Sequence, residues 1–156
     1  MPPRVKRSRR GGFVLKLPSG EREALRTVPE VLRAALAERD PDDPVRRRLF
    51  PSAFLDDPAA SAEFDSVVHE DLLAERMVSI ETMERTLKAD QLTEEDLVAW
   101  LAAINDVRLV LGVRLAVTEE STLEDFEGNP QREQAYALYA YLSYLEEDVV
   151  RALSAS

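Results

Sequence analysis

The hydrophobic pattern of this chain is most regular between Thr93 and Val117, where apolar residues recur every three or four positions. At about 100° per residue, this spacing places them in one stripe along a helix. The opposite side is also apolar, and such a helix belongs in a protein interior. We therefore predict a central buried helix over residues 93–117. The stripe comprises Leu97, Trp100, Leu101, Ile104, Leu111 and Leu115, and the opposite side comprises Val98, Ala102, Leu109, Val110 and Val113.

Both ends of this predicted helix carry local signals. Thr93 and Asp96 fit a capping box at its start. Gly112, near its end, costs about 1 kcal/mol of helix stability relative to alanine. We therefore expect Gly112 to permit the close approach of another helix, which a side chain would block.

Arg108 interrupts the apolar stripe, and its guanidinium needs an acceptor if it is buried because it cannot lose its proton. Asn105 and Asp106 are its neighbours in sequence. Asp71 and Glu75 lie on an apolar face of another predicted helix and are candidate acceptors. We favour a buried ion pair that fixes the packing of two helices. An anion-binding or partner-binding site is the alternative.

The N-terminal half predicts one short strand and several short helices. Phe13–Leu17 alternates between apolar and polar residues, which favours a strand whose pairing segment the sequence does not identify. A helix should start near Glu21 and restart or kink around Pro29. The connector 40–58 is rich in proline and should hold one or two helical turns over Val45–Phe50. Its predicted anchors to the core are Leu49, Phe50, Phe54 and Leu55.

Two long helices complete the prediction. The first begins at Asp57-Pro58 and runs to about Lys88, and the second follows an acidic loop over residues 118–129, with Asn129 as its cap. In the last helix Tyr141 and Tyr144 fall outside the core stripe, which suggests a partner or dimer surface. Partial burial of these tyrosines against the connector is the alternative.

These elements predict an all-α fold, a bundle of four to five helices around a central buried helix with a short N-terminal β-strand. A chain of 156 residues is long enough for one domain with a substantial core. We therefore expect a disordered basic arm over residues 1–10 and a single helical domain over residues 11–156.

The distribution of charge is uneven along the chain. Five of the twenty basic residues lie in the first ten positions, whereas all thirty acidic residues come later. The acidic body should repel the phosphate backbone of nucleic acid. The arm is therefore the candidate site for DNA or for an acidic partner. Its basic residues are Arg4, Lys6, Arg7, Arg9 and Arg10.

Recognisable catalytic chemistry is sparse in this sequence. The chain has no cysteine, and its one histidine, His69, lacks the companions that a metal site needs. No phosphate-binding loop, dinucleotide fingerprint, zinc motif or nucleophile elbow is present. We expect no catalytic residues, no cofactor and no metal. No apolar run is long enough to span a membrane, and we expect a cytoplasmic protein without a membrane partner.

The segment Trp100–Leu115, with its Asn105-Asp106-x-Arg108-Leu109-x-Leu111-Gly112 core, resembles the centre of the actinobacterial AosR family of oxidative-stress transcriptional regulators. Arg48–Ala53 and the aromatic last helix are also similar to it, so the resemblance covers most of the chain from about residue 12. It implies a cytoplasmic regulator that acts through protein partners of the transcription machinery. Redox regulation in that family has been linked to cysteines, so direct thiol sensing is not expected in this cysteine-free chain.

Three functions remain open at this point. The first is a non-enzymatic transcriptional regulator that binds a protein of the transcription machinery, with a homodimer as an added option. The second is a DNA-binding regulator that uses the basic arm. The third is an uncharacterised enzyme with a carboxylate site, which would need a pocket that the sequence does not define.

Overall fold

The computed structural model describes residues 2–51 and 58–155, without the side chains of residues 58–65. This part of the chain is mostly helical, and its strands form one small antiparallel sheet in the order β1-β2-β3. The elements are β1 (Val5–Arg7), β2 (Phe13–Leu15), α1 (Ser19–Leu25), α2 (Thr27–Leu36), α3 (Pro44–Leu49), α4 (Pro58–Thr86), β3 (Gln91–Leu92), α5 (Glu94–Leu115), a short 3-10 helix (Leu123–Phe126) and α6 (Pro130–Ser154).

Helix α5 is the central helix that the hydrophobic pattern predicts. It packs against α2, α3, α4 and α6, and its start carries the predicted capping box between Thr93 and Asp96. Most of the predicted stripe is fully buried, and Leu101 is partly buried. The opposite side is less enclosed than we predicted, because Val98 is half exposed and Ala102 is exposed.

The sheet corrects two of our predictions. Strand β2 confirms the predicted strand at Phe13, and its missing partners are β1 on one side and β3 on the other. The fold is therefore not purely all-α. Part of the predicted disordered arm is also ordered, because Val5 to Arg7 form β1 and the Val5 side chain is buried. A single apolar residue in a basic segment does not reveal this strand in the sequence.

The short helices follow the predicted breaks with one difference. The chain restarts between α1 and α2 at Arg26, so Pro29 falls within the first turn of α2, where proline is tolerated. The Thr27 hydroxyl donates to the Ala24 carbonyl oxygen instead of capping α2. Helix α3 confirms the predicted turns in the connector, and Leu49 is buried.

Both long helices are present. Asn129 caps α6, with Pro130 in its first turn, as predicted. Helix α4 ends at Thr86, close to the predicted Lys88. Several predictions lie outside the described residues, namely the cap at Asp57, the anchors Phe54 and Leu55, and the Ser52-Ala53 part of the resemblance.

Gly112 faces α6, as we expected, but the approach is not tight. A Cβ atom added at Gly112 would lie 3.6 Å from Cε2 of Tyr139, which is an ordinary van der Waals contact. The prediction that a side chain would be blocked there is therefore wrong for a methyl group. The distance leaves room for alanine.

Candidate functional site

Strands β1 and β2 form a basic hairpin whose turn requires glycine. Gly11 and Gly12 have φ angles of 95° and 70°, in the region that residues with a Cβ rarely adopt. A Cβ on Gly12 would lie only 2.8 Å from the Leu92 carbonyl oxygen. The Ser8 amide closes the turn by donating to the Gly12 carbonyl oxygen at 2.9 Å. Glycine thus lets the hairpin fold closely onto β3.

Asp148 of α6 anchors this hairpin to the helical part of the molecule. One of its carboxylate oxygens accepts the backbone N–H groups of Arg4 at 2.6 Å and Val5 at 2.9 Å, and the other accepts from Arg151 at 3.2 Å. The Asp148 residue is 2% exposed. Hydrogen bonds to a charged acceptor are among the stronger ones in proteins, particularly where water is excluded. This carboxylate therefore fixes the start of β1.

Arg4 provides a second anchor through its side chain. Its guanidinium donates to both carboxylate oxygens of Glu21 on α1, over distances of 2.9–3.1 Å. The bond from Arg4 lowers the pKa of Glu21. Burial, together with the nearby Glu21 carboxylate, raises the pKa of the Tyr141 phenol. The Tyr141 hydroxyl is buried and makes no well-formed hydrogen bond with the described residues. Tyr141 thus contributes mainly packing, not a free contact surface.

A groove of about 550 Å³ lies between β1 and the last turns of α6. Tyr144 contributes to its wall, so of the two tyrosines predicted to form a partner surface, this one borders an open cavity. Lys6, Arg7 and Arg151 bring positive charge to the groove, and all three are exposed. The lining residues are Pro3, Val5, Lys6, Arg7, Tyr144, Asp148, Arg151, Ala152 and Ala155. We call this feature the hairpin groove.

The other basic residues of the hairpin lie in its turn, whereas Arg7 is the last residue of β1. Arg9 and Arg10 are exposed in the hairpin turn. Arg7 lies over the ring of Phe13 at 4.8 Å, and its guanidinium donates to the Leu153 carbonyl oxygen at 3.1 Å. The predicted basic arm therefore carries these charges on a β-hairpin, and the Arg7 side chain is held in place by contacts with Phe13 and Leu153.

Arg108 does form an ion pair, but not with the predicted partners. Its guanidinium donates to Glu146 and to the Ser143 hydroxyl, both on α6, and lies over the ring of Tyr139. Asp71 and Glu75 are exposed on α4, so the predicted pair with Arg108 is wrong. The physical reason is the orientation of α5 about its own axis, which turns the side that carries Arg108 toward α6 and not toward α4.

An ion pair does connect α4 and α5, but the basic residue lies on α4 and the acidic residue on α5, the reverse of the prediction. Arg76 of α4 donates to Asp106 of α5 at 2.9 Å. Burial raises the pKa of Asp106 even though Arg76 opposes this shift. A second nitrogen of Arg76 is buried without a hydrogen-bond acceptor among the described residues, and its guanidinium lies over the ring of Phe50 at 5.3 Å.

Two further residues that the sequence suggested as candidates, Trp100 and Asn105, lie on α5 away from the hairpin. Trp100 is buried, and its indole N–H donates to the Thr86 hydroxyl at 2.7 Å. Asn105 is half buried on α5. Neither residue lines the hairpin groove, so the groove residues and the central helix form separate regions of the molecule.

The sequence analysis did not identify Asp148, the buried residue that anchors the hairpin. Asp148 lies three positions after Leu145 and immediately before Val149, and both of these neighbours are buried. An acid on the core side of a helix is a usable signal, because a buried carboxylate requires donors. The identity of those donors, two backbone N–H groups more than 140 positions away, has no sequence signature.

Two other cavities bear on the enzyme alternative. One is lined by Arg108, Glu146 and Glu147, and another includes Glu38 and Asp43. In the first cavity Glu146 is already paired with Arg108, and Asp43 in the second accepts the Arg46 amide at the start of α3. Within the described ranges, no group of three or more His, Asp or Glu side chains is placed to hold a metal ion. None of the described helices is long and apolar enough to cross a membrane.

Comparison with known proteins identifies a family that matches most of this chain. Residues 3–153 match the family described as a domain of unknown function, DUF2017. A relative from Mycobacterium leprae, which carries the AosR name, is 32% identical over 87% of this chain and 72% of its own length. Proteins named oxidative stress regulator AosR from Mycobacterium bovis and Mycobacterium tuberculosis are each 32% identical over 74% of this chain and 61% of their own length. No solved structure matches this chain.

The matched range includes the β1–β2 hairpin as well as the central helix, so the family assignment covers both the basic surface and the core. The resemblance that we identified in the Trp100–Leu115 segment is confirmed. The chain belongs to the DUF2017 family, whose relatives include the oxidative stress regulators named AosR.

Proposed function

We propose that this chain is a cytoplasmic, non-enzymatic regulatory protein of the oxidative-stress response that acts by binding a protein of the transcription machinery. The names of its relatives support the regulatory role. The observation that carries the binding mode is the basic hairpin, which presents a cationic surface on an acidic chain of net charge −10.

The charge distribution supports a specific acidic partner. The hairpin and the residue on either side of it, residues 4–16, contain six basic residues and no acidic one. Surfaces of opposite charge speed encounter between partners and select among them. Because residues 17–156 contain thirty acidic and fourteen basic residues, most of the rest of the chain would repel an acidic partner. This arrangement would orient the complex.

The absence of cysteine constrains the route of the stress signal. Thiol oxidation is the common chemistry of protein redox sensors, and this chain has no thiol. We therefore propose that the chain transmits a stress signal that another component senses. The amount of the chain, or the state of its partner, would then determine the regulatory output.

A genetic test with hairpin variants addresses this proposal. We expect loss of the gene to change the transcripts induced by peroxide, and the wild-type chain to restore them. A Lys6→Glu, Arg9→Glu, Arg10→Glu variant should fail to restore them although it folds and accumulates normally. An unchanged transcript profile in the deletion strain would contradict the regulatory role. Full restoration by the charge-reversal variant would contradict the use of the hairpin.

DNA binding is the second candidate, and the exposed Lys6, Arg9 and Arg10 of the hairpin favour it. A two-stranded β-ribbon fits the major groove of DNA, and about four phosphate contacts would give a slope of about −3.6 in a plot of log affinity against log salt. Fluorescence anisotropy with promoter duplexes over a salt series separates the two functions. The protein-partner proposal predicts no sequence preference among these duplexes.

A further inference from the structure

We propose that the hairpin groove binds an extended acidic segment of a protein partner, with an apolar side chain of that segment packed between β1 and α6. This inference rests on the proposed function and names the kind of partner surface involved. Three features of the groove lead to it, namely its apolar floor, the charge of its rim and the open edge of β1.

The floor of the groove is apolar. Val5 and Ala152 are 3% and 6% exposed and lie at its base, and Tyr144 forms part of its wall. A tyrosine ring offers apolar contact area with little loss of conformational entropy when a ligand binds. The groove therefore suits one medium-sized apolar side chain better than a phosphate group.

The rim of the groove is positive. Lys6, Arg7 and Arg151 border it, and Asp148 is the one acidic residue among its lining residues. Asp148 already accepts from two backbone N–H groups and from Arg151, so its charge is largely compensated. A ligand with carboxylates on both sides of an apolar residue matches this pattern of charge.

The edge of β1 adds a backbone component. Strand β1 lies at the edge of the sheet and, among the described residues, pairs only with β2. The Ser8 amide donates to the Gly12 carbonyl oxygen, and the Arg4 carbonyl oxygen accepts from the Lys16 amide. The even-numbered residues of this segment therefore direct their backbone groups toward β2. Alternation along the strand then directs those of Val5 and Arg7 away from β2. Asp148 takes the Val5 N–H, which leaves the edge at Arg7 for an added strand.

The edge is short, and this sets the length of the partner segment. Three residues of strand span about 10 Å, so the ligand should be a peptide of about four to six residues. A contact of this size belongs with weak and transient interfaces, as expected for a reversible regulatory complex.

The test uses the full chain and a fluorescein-labelled peptide of about six residues in which Asp or Glu alternates with Val or Leu. Fluorescence anisotropy should show saturable binding. The matched control peptide carries lysine in place of each acidic residue and should not bind. Equal binding of the two peptides would overturn the proposal.

Variants locate the binding site. Lys6→Glu with Arg151→Glu should weaken peptide binding by about tenfold, because two attractive charge pairs become repulsive. The matched reversal Arg39→Glu with Lys88→Glu, at exposed positions away from the groove, should change it by less than about twofold. Ala155→Trp, at the exposed end of α6, should also block binding by filling the groove while leaving thermal unfolding unchanged. Wild-type affinity in both groove variants would overturn the proposal.

Other occupants give distinct results. Tight binding of a DNA duplex that Ala155→Trp leaves unchanged, together with no peptide binding, would assign the hairpin to nucleic acid and overturn the proposal. Sedimentation that shows a dimer disrupted by Ala155→Trp would assign the groove to a second copy, with the same consequence. If peptide binding maps to the groove but transcripts do not depend on the gene, the groove inference stands and the regulatory function fails. If transcripts depend on the gene but not on groove variants, the reverse holds.

Discussion

At the scale of single residues, Asp148 is the clearest contributor to the position of the hairpin. It satisfies two backbone donors at the start of β1 and is almost completely buried. Its removal would leave both donors in a region with little access to water. The cost of such unsatisfied groups exceeds the net contribution of an ordinary hydrogen bond.

We predict that Asp148→Ala lowers the free energy of unfolding by about 3 kcal/mol, because two hydrogen bonds to a charged acceptor are lost while the Val5 donor stays buried and the Arg4 donor stays partly buried. Urea denaturation followed by circular dichroism measures this change. Glu147→Ala, at the exposed neighbouring position, is the control and should change stability by less than about 0.5 kcal/mol. Equal stability of the two variants would mean that Asp148 does not hold β1.

Two other carboxylates should give stability contributions of opposite pH dependence. The folded-state pKa of Glu21 is lowered by Arg4, so its contribution is present above its unfolded pKa and is lost as pH falls through the folded value. The folded-state pKa of Asp106 is raised by burial, so its contribution is present at low pH and is lost as pH rises.

The corresponding experiment compares Glu21→Gln and Asp106→Asn with the wild type between about pH 3 and pH 7. Relative to wild type, Glu21→Gln should become less stable as pH rises, whereas Asp106→Asn should become more stable. Chemical denaturation at each pH measures the differences. Parallel curves for the two variants would contradict the assignment of their environments.

At the scale of elements, the two glycines near tight contacts have opposite requirements. Gly112 lies in the interior of α5, with space for a methyl group beside Tyr139. Gly12 has a positive φ angle and would bring a Cβ within 2.8 Å of the Leu92 carbonyl oxygen. The same substitution should therefore have opposite effects in the helix and in the hairpin.

We predict that Gly112→Ala raises the free energy of unfolding by about 1 kcal/mol through helix propensity. Gly12→Ala should lower it by about 2 kcal/mol through backbone strain and the clash with β3. Thermal denaturation of both variants measures the effects, and each serves as the matched control of the other. Destabilisation by Gly112→Ala would show that α5 and α6 approach more closely than the distance to Tyr139 indicates.

The sequence predicted the elements with strong local signals. Helix α5 has a long apolar period and a capping box, and α6 begins with an Asn-Pro cap, so both are encoded within a few neighbouring residues. Strand β2 was also predicted, but its partners were not, because pairing depends on segments far apart in the chain. Strand β1 has only Val5 as a buried residue, which is too little for a strand signal.

The candidate site was harder to predict for the same reason. Arg108 was correctly expected to need an acceptor, but the choice between α4 and α6 depends on the rotation of α5 in the packed molecule. Asp148 and the hairpin groove depend on contacts between the two ends of the chain. Local patterns indicate that a polar group is buried, whereas tertiary packing decides which donor or acceptor meets it.

At the scale of the whole molecule, the N-terminal segment is part of the fold. Val5 is buried, and Arg4 forms an ion pair with Glu21. The Asp148 carboxylate accepts hydrogen bonds from the backbone N–H groups of Arg4 and Val5. The basic surface is therefore coupled to the stability of the domain. A disordered tail would have no such coupling.

Deletion of residues 1–10 should consequently lower the free energy of unfolding by about 3 kcal/mol or more, because it exposes apolar surface and leaves the Asp148 carboxylate without its backbone donors. Urea denaturation of the truncated and full chains provides the measurement. The control is a full-length chain with Lys6→Gln, Arg9→Gln and Arg10→Gln, which removes charge but keeps β1. A truncated chain as stable as the full chain would contradict the packed hairpin.

The most direct test of the central claim, that α6 holds an ordered basic hairpin, is amide hydrogen exchange measured residue by residue by NMR. The account predicts that the Val5 amide, which donates to Asp148, exchanges far more slowly than in an unstructured peptide. Asp148→Ala should remove this protection while the amides of α5 stay protected. Exchange of Val5 at the rate of an unstructured peptide in the wild-type chain would contradict the ordered hairpin and the groove beside it.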